Sequence, residues 1–475
     1  MVRTPGILCA AVLFALLASA GCGGGASSPT AAIPGPAPTP FVRPNIVLVV
    51  TDDLDVPTAL ELPRLPDLMT NQGLSFTRAY AAQPLCGPSR ASILTGRYSH
   101  NHGVIDNEPP QHGFVAFRRH EAVSLAPWLK SAGYRTSLIG KYINSYAWGT
   151  GTDYVPPGWD DWHGHLAAIE DGRYVNYWMN HNGQVVRYGS KPEEYSADVE
   201  TKLALSFIRG SAGRPEPLFM LLVPQAPHVP ARYHDRHGAE FRYAHAPRTP
   251  SFNLGNVADK PSWVRQIAPL TASDIAWADN LQRFRLRSMR AVEDQVEQVL
   301  TALADTGRLE NTYVFFTSDN GLLMGQHRAV ARKGNAYEES IGIPLIVRGP
   351  GVPAGRTDAF ALTIDLAPTL LELAGVPLPD TIDGRSLVPF LRGRPPASWR
   401  TDVLVENYGS GHSYTLRTAD FMYNHQDTEE FELYDMRKDP YQIKNTYSTA
   451  DPALLQSLRL RLASLVACRG ASCRS

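Results

Sequence analysis

The sequence predicts an α/β fold: a mostly parallel central sheet flanked by helices, followed by a smaller α+β part. Three observations carry that prediction. Five short runs are apolar almost throughout, as strands buried on both faces must be. Amphipathic helical patterns lie between them, and strand–helix alternation builds parallel sheets. Acidic and amide residues stand directly after two of the runs, where such sheets bind their ligands.

The first run is residues 45–50 (NIVLVV). A helical pattern over 121–132 leads into a second run at 136–139, and a third, 218–223 (LFMLLV), follows Pro217. The clearest helix covers 281–304. Its Leu286, Met289, Val292, Val296, Val299 and Leu303 recur at three- and four-residue steps, and Gly307 suits its end. Residues 313–316 and 343–347 complete the buried runs. From about residue 397 the texture changes: 402–406, 413–416 and 431–434 read as short strands and 452–466 as a closing helix. The expected division is 1–21 signal, 22–43 tether, 44–396 main domain and 397–475 C-terminal subdomain.

Composition narrows the function. The chain has 475 residues, 43% of them hydrophobic, which excludes a disordered protein. With 45 Lys plus Arg against 46 Asp plus Glu there is no basic excess, so no nucleic-acid partner is expected. The five cysteines, Cys9, Cys22, Cys86, Cys468 and Cys473, are too few for a disulfide scaffold.

Residues 1–21 read as an export signal, with Arg3 ahead of an apolar run too short to span a bilayer. Small residues before Cys22 resemble a bacterial lipoprotein processing site, although Ser19 stands where Leu is usual. The expected location is the cell envelope, with a lipid on Cys22 anchoring the chain to the membrane. A secreted or periplasmic form is the alternative. The Gly-, Ser- and Pro-rich stretch that follows reads as a tether. Cys468 and Cys473 either close a small disulfide loop or stand as two thiols in a frayed tail.

Strand 45–50 runs into Asp52-Asp53, and strand 313–316 into Asp319-Asn320. Either pair alone also reads as a turn or a helix cap. Together they offer four hard oxygen donors at one sheet edge, a set that suits calcium or magnesium. Between them lies Cys86-Gly87-Pro88-Ser89-Arg90, then Thr95-Gly96. Pro88 fits the first turn of a helix, which puts Cys86 at an N-terminus that favours anions. Arg90, one turn on, carries a donor fork suited to a tetrahedral oxyanion.

This string resembles the signature of type I sulfatases. In that family the Cys is oxidised to formylglycine by a formylglycine-generating enzyme, and the aldehyde hydrate is the nucleophile. Further segments are similar to the family's: Pro44 to Asp53, Gly133 to Lys141, Ala226-Pro227-His228, Ser318 to Gly321, Gly325-Gln326-His327 to Lys333, Tyr337 to Glu339, Pro344 to Gly351, and Glu432 to Asn445. The resemblance implies an alkaline phosphatase-like sandwich and hydrolysis of a sulfate ester on a small molecule or glycan. It implies one divalent ion, calcium ahead of magnesium, on Asp52, Asp53, Asp319, Asn320 and the modified Cys86. It further implies Arg90 on the sulfate oxygens, and Lys141, His228 and Lys333 as cations at the departing oxygen.

The stretch Gly140-Lys141-Tyr142-Ile143-Asn144, with 155–159, 174–177 and 182–183, is similar to N-acetylglucosamine-6-sulfatases and heparan 6-O-endosulfatases. That points to glycosaminoglycan-type substrates. The family's sulfate-releasing His is replaced by Ile143, beside Asn144. His102, His163, His327 or water are the alternatives for that role. Trp148, Trp159, Trp162 and Trp178 serve equally as a sugar-binding wall or as an insertion's own core. The rival functions are phosphate or phosphonate monoester hydrolysis and non-catalytic glycan binding at the cell surface.

Overall fold

The computed structural model describes residues 42–166, 172–408 and 412–474. The signal, Cys9, the lipidation expected at Cys22 and nearly all of the tether lie outside the described residues.

Strand β1 (Asn45–Thr51) is wholly buried because both of its faces meet apolar layers. Ile46, Leu48 and Val50 join the core on one side of the sheet, and Val47 and Val49 join that on the other. This is the period of two expected of a strand. The remaining strands of the large sheet are β2 (Leu74–Tyr80), β3 (Arg135–Gly140), β4 (Asp161–His165), β5 (Tyr177–His181), β6 (Gln184–Tyr188), β7 (Leu218–Val223), β8 (Thr312–Ser318), β11 (Leu345–Arg348) and β12 (Gly355–Leu362). A small separate pair is β9 (Leu323–Met324) with β10 (Val330–Arg332). The ten-stranded order is β12-β2-β11-β8-β1-β7-β3-β4-β5-β6. The run β8-β1-β7-β3-β4 is parallel, whereas β11 and the β4-β5-β6 edge pair antiparallel. The mostly parallel sheet predicted from sequence is therefore present, and the mixed edges are added to it.

The long helix spans Ala272–Asp305, starting nine residues before the apolar stripe does. A reciprocal cap sets that start: Asp274 N–H donates to Thr271 Oγ1 and Thr271 N–H to the Asp274 carboxylate. The helix expected over 121–132 is shorter, Leu125–Ser131, preceded by a 3₁₀ segment at Arg118–Val123. Ser124 separates the two in extended conformation. The run expected at 343–347 becomes a strand only at Leu345, after Pro344.

A second, antiparallel sheet holds β13 (Asp402–Asn407), β14 (Ser413–Thr418), β15 (Phe421–Gln426) and β16 (Phe431–Asp435). β15 is not legible in the sequence, because Asn424 and Gln426 are polar residues buried in its interior face. The closing helix is Pro452–Val466, as predicted. Behind it Cys468 and Cys473 form a disulfide. The Cys468 carbonyl accepts from Asn101 Nδ2 at 3.0 Å, which seats this loop on the short helix Ser99–His102.

Candidate active site

The ends of β1, β3 and β8, the start of helix Cys86–Thr95 and two loops meet at one place. Every residue of that helix is buried. A charge inside it must therefore be paired, and Arg90 is: its Nε donates to Asp319 Oδ2 at 2.9 Å and its Nη1 to the Lys141 carbonyl at 2.8 Å. Arg90 Nη2 is buried without a hydrogen-bond partner, 3.7 Å from Asp52 Oδ2. One donor of the fork is thus left for a ligand.

β1 delivers Asp52 and Asp53, and β8 delivers Asp319 and Asn320. All four are buried. β1 and β8 run parallel with Thr51 opposite Ser318, so the two pairs leave the sheet side by side. Asp53 N–H donates to Asp319 Oδ1 at 3.1 Å, and Asn320 Nδ2 to Asp53 Oδ1 at 2.7 Å. β3 ends in Gly140 at φ 112°, and a Cβ there would lie 2.1 Å from the Val223 carbonyl oxygen. Only glycine lets β3 approach β7 so closely. The turn that follows aims Lys141 at Asp52 Oδ2, 2.6 Å away. Lys333 Nζ bonds Asp53 Oδ1 and lies 2.7 Å from Cys86 Sγ. Sγ is itself 3.3 Å from Asp52 Oδ1. His228 Nδ1 faces the Val229 carbonyl at 2.7 Å, which leaves Nε2 toward Asp53 Oδ2 at 3.7 Å.

The electrostatics follow from this packing. Burial alone would raise the carboxyls, but Lys141, His228 and Arg90 hold Asp52 well below the usual range. Lys333 and His228 lower Asp53 as well. Asp319 is raised, by burial and then by the neighbouring Asp52 charge. Burial, with Asp52 beside it, pushes the Cys86 thiol up to about 12. An unmodified Cys86 is therefore protonated at neutral pH and a poor nucleophile. Asp52, Asp53, Cys86 and His228 bring their donor atoms within 4.8 Å of one another. Asn320 Oδ1 is buried and accepts no hydrogen bond. An orphaned amide oxygen beside three carboxylates fits a hard divalent cation.

The other histidines are held elsewhere. His102 sits between Ser92 Oγ (3.1 Å) and the Val104 N–H (3.0 Å). His163 pairs with His181 at 2.7 Å and with Asp161 at 3.1 Å. His327 stacks on Tyr337 with ring centroids 3.7 Å apart, and burial drives its pKa down to about 3. The stack packs its ring into the loop against Tyr337. The Asn144 carbonyl accepts from Phe114 N–H at 2.9 Å, and its side chain packs against Gly87.

Two residues the sequence reading missed support the site. Asn107 Oδ1 accepts the Gly87 N–H at 2.8 Å and so orients the turn beside Cys86. Arg285, fully buried on the long helix, bonds Asp55 Oδ2 at 2.7 Å and the Asp53 carbonyl. The signal for Arg285 was available: an arginine sits directly before Leu286 of the apolar stripe.

The aromatic run divides. Trp159 and Trp162 belong to the core with Tyr142 and Tyr146, while Trp148 is exposed. Core packing is thus the role of the two middle tryptophans. Behind Tyr142, Glu121 is buried and accepts from Tyr154 Oη at 2.6 Å. Burial raises its pKa from 4.5 to about 7. The protonated form is therefore favoured by folding. Its stabilisation is complete below about pH 4.5 and lost as pH rises through about 7, a change of about 3 kcal/mol. Urea titrations at pH 5 and pH 8 should show this decline in the wild type and a flatter profile in Glu121→Gln.

Comparison with known proteins agrees with this geometry. Residues 44–376 match the model of the family described as Sulfatase. Residues 325–467 match that described as N-sulphoglucosamine sulphohydrolase, C-terminal. Human N-acetylglucosamine-6-sulfatase is 35% identical over 480 residues, covering 91% of this chain and 86% of the human protein. A protein solved in complex with its substrate D-glucosamine-2-N,6-O-disulfate superposes with a TM-score of 0.71 at 25% identity, covering 89% of this chain and 97% of that one. A phosphonate monoester hydrolase from Silicibacter pomeroyi shares the fold, with a TM-score of 0.69 at 23% identity over 89% of this chain and 94% of its own. With the family model matched over most of the chain, and the signature helix closing on paired strand-end carboxylates, the protein belongs to the sulfatase family of sulfuric ester hydrolases.

Proposed function

We propose that the protein removes sulfate from a sulfated carbohydrate, with a glucosamine 6-sulfate unit as the preferred class. The observation that carries the chemistry is the convergence of Cys86, Arg90, Lys141, Lys333 and His228 on one buried carboxylate cluster. The likeness to N-acetylglucosamine-6-sulfatase supports the substrate class.

Position 86, as formylglycine, supplies an aldehyde hydrate whose hydroxyl is the nucleophile toward sulfur. Asp52, Asp53, Asp319 and Asn320 would hold a divalent cation, calcium ahead of magnesium, which neutralises sulfate oxygens. Arg90, with Nη2 unspent, binds a sulfate oxygen. Lys141 and Lys333 leave their carboxylate partners to face the anion. His228 Nε2 holds or delivers the proton at the departing oxygen, and it is the imidazole that faces the cluster among the described residues. For the N-terminal segment, the reading is export with a lipid on Cys22.

Steady-state rates on the sulfate and phosphate esters of one phenol test the reaction class. Sulfate should be preferred in kcat/KM, and a clear phosphate preference would favour the rival fold relative's chemistry. The cation has a separate readout. Calcium at about 100 times its Kd should stabilise the folded protein by about 2.7 kcal/mol, seen as a higher thermal midpoint that a chelator reverses. Asn320→Ala should lose most of that response.

A further inference from the structure

The position of His228 is set by its loop and by two side chains that the chemistry above does not use. Its Nδ1 is tied to the Val229 carbonyl at 2.7 Å, and its Nε2 stands 3.7 Å from Asp53 Oδ2, too far for a hydrogen bond. The backbone of residues 225–232 therefore decides where Nε2 lies. Within this loop His228 N–H donates to the Gln225 carbonyl at 3.0 Å, and Ala231 N–H to the His228 carbonyl at 2.8 Å. Asp52 N–H holds the Ala226 carbonyl at 3.1 Å.

Two buried tyrosines close on the same loop. Tyr174 Oη donates to the His228 carbonyl and lies 3.1 Å from the Gln225 carbonyl. Tyr195 Oη donates to the Arg232 carbonyl at 2.8 Å. The two rings stack, with centroids 6.2 Å apart, and both belong to the apolar core on one side of the sheet. The Tyr174 carbonyl accepts Ser196 N–H at 2.9 Å, which fixes it to the start of the helix Ser196–Arg209. A hydroxyl in such a core is costly unless it is bonded. Both hydroxyls are spent on the loop that carries His228, one at each end of it.

We infer that Tyr174 and Tyr195 are positioning residues for His228, a clamp that holds its loop so that Nε2 meets the departing oxygen. This rests on the reading that His228 serves that oxygen. The clamp then matters in proportion to the help the leaving group needs. A sugar alkoxide is a poor leaving group and depends on a proton or cation at its oxygen, whereas 4-nitrophenolate carries its charge unaided. Loosening His228 costs the first reaction and spares the second, while general damage to the fold lowers both alike.

The test is Tyr174→Phe, assayed on N-acetylglucosamine 6-sulfate and on 4-nitrophenyl sulfate. The Gln225 and His228 carbonyls keep their N–H partners in this variant, so little stability is lost. Its kcat/KM should fall about tenfold or more on the sugar ester and only about twofold on the aryl ester. His228→Ala should show the same split, and adding Tyr174→Phe to it should cost nothing further. If Tyr174→Phe fails to fold, Tyr195→Phe gives the same comparison through the Arg232 carbonyl. Equal losses on both esters in the tyrosine variant, no loss on either, or a full further loss in the His228→Ala background would overturn the clamp and leave the role of His228 intact. Equal losses on both esters in His228→Ala itself would overturn that role and the clamp with it.

Discussion

Cys86→Ala is expected to lower kcat/KM for any sulfate ester by about 10⁴-fold or more while leaving the fold in place. The site is built around that one side chain. Its Sγ touches Lys333 and Asp52, and the helix that begins with it also presents Arg90. The thiol is not itself a competent nucleophile: burial and the neighbouring Asp52 push its pKa up to about 12, so it is protonated at pH 7. Activity should therefore track conversion of Cys86, not its presence. Protein from a host able to oxidise it should show the Cys86 peptide lighter by about 18 Da, and activity in proportion to the converted fraction. Full activity from a chain whose Cys86 is wholly an unmodified thiol would refute the assignment. Stability is the control. Little is lost with the sulfur, so the thermal midpoint of Cys86→Ala should stay within a few degrees of the wild type.

The largest loss of stability is expected at Arg285, far from any reacting atom in sequence. Its guanidinium lies at 0% exposure and joins Asp55 Oδ2, the Asp53 carbonyl and Thr58 Oγ1. Asp55 in turn caps the short helix Val56–Leu60 through Thr58 N–H. Arg285→Ala would leave the Asp55 carboxylate buried and unpaired, at a cost of about 3–5 kcal/mol. It would also free the loop that carries Asp52 and Asp53, so activity should fall with stability. Arg285→Met restores volume without charge and should recover little. Adding Asp55→Asn to Arg285→Met should recover a substantial part, because the unpaired charge is then removed. Chemical denaturation of the wild type, Arg285→Met, Asp55→Asn and the double variant closes this double-mutant cycle. A coupling energy near zero would show that the pair does not act as a unit.

The site was largely legible because its chemistry is local in sequence. Cys86 to Arg90 form one helical turn, and Asp52-Asp53 and Asp319-Asn320 each follow a strand that announces itself by an apolar run, 46–50 and 313–316. The strands left unread are of another kind. β2 (LSFTRAY) and β12 (GRTDAFAL) carry polar residues along partly exposed stretches, and β15 buries amides. Their pairing energy comes from neighbours distant in the chain, so no local pattern records it. The tryptophans show the same limit. Trp159 and Trp162 are as compatible with a sugar wall as with a core until their surroundings are known.

The sequence by itself pointed to the sulfatase family through the resemblance of the Cys86–Arg90 string and its companion segments, and it proposed a nucleophile position and four oxygen donors at two strand ends. It also determined the central α/β pattern, which rests on the periods of strand and helix. Only the tertiary structure showed that His102, His163 and His327, the alternatives for the sulfate-releasing role, are held by other partners, while His228 faces the cluster as the resemblance implied. It likewise decided that Cys468 pairs with Cys473 and that Arg285 braces the loop that carries Asp52 and Asp53. Each of these depends on which groups the fold removes from water together. That is a property of long-range packing, which the order of residues along the chain does not display.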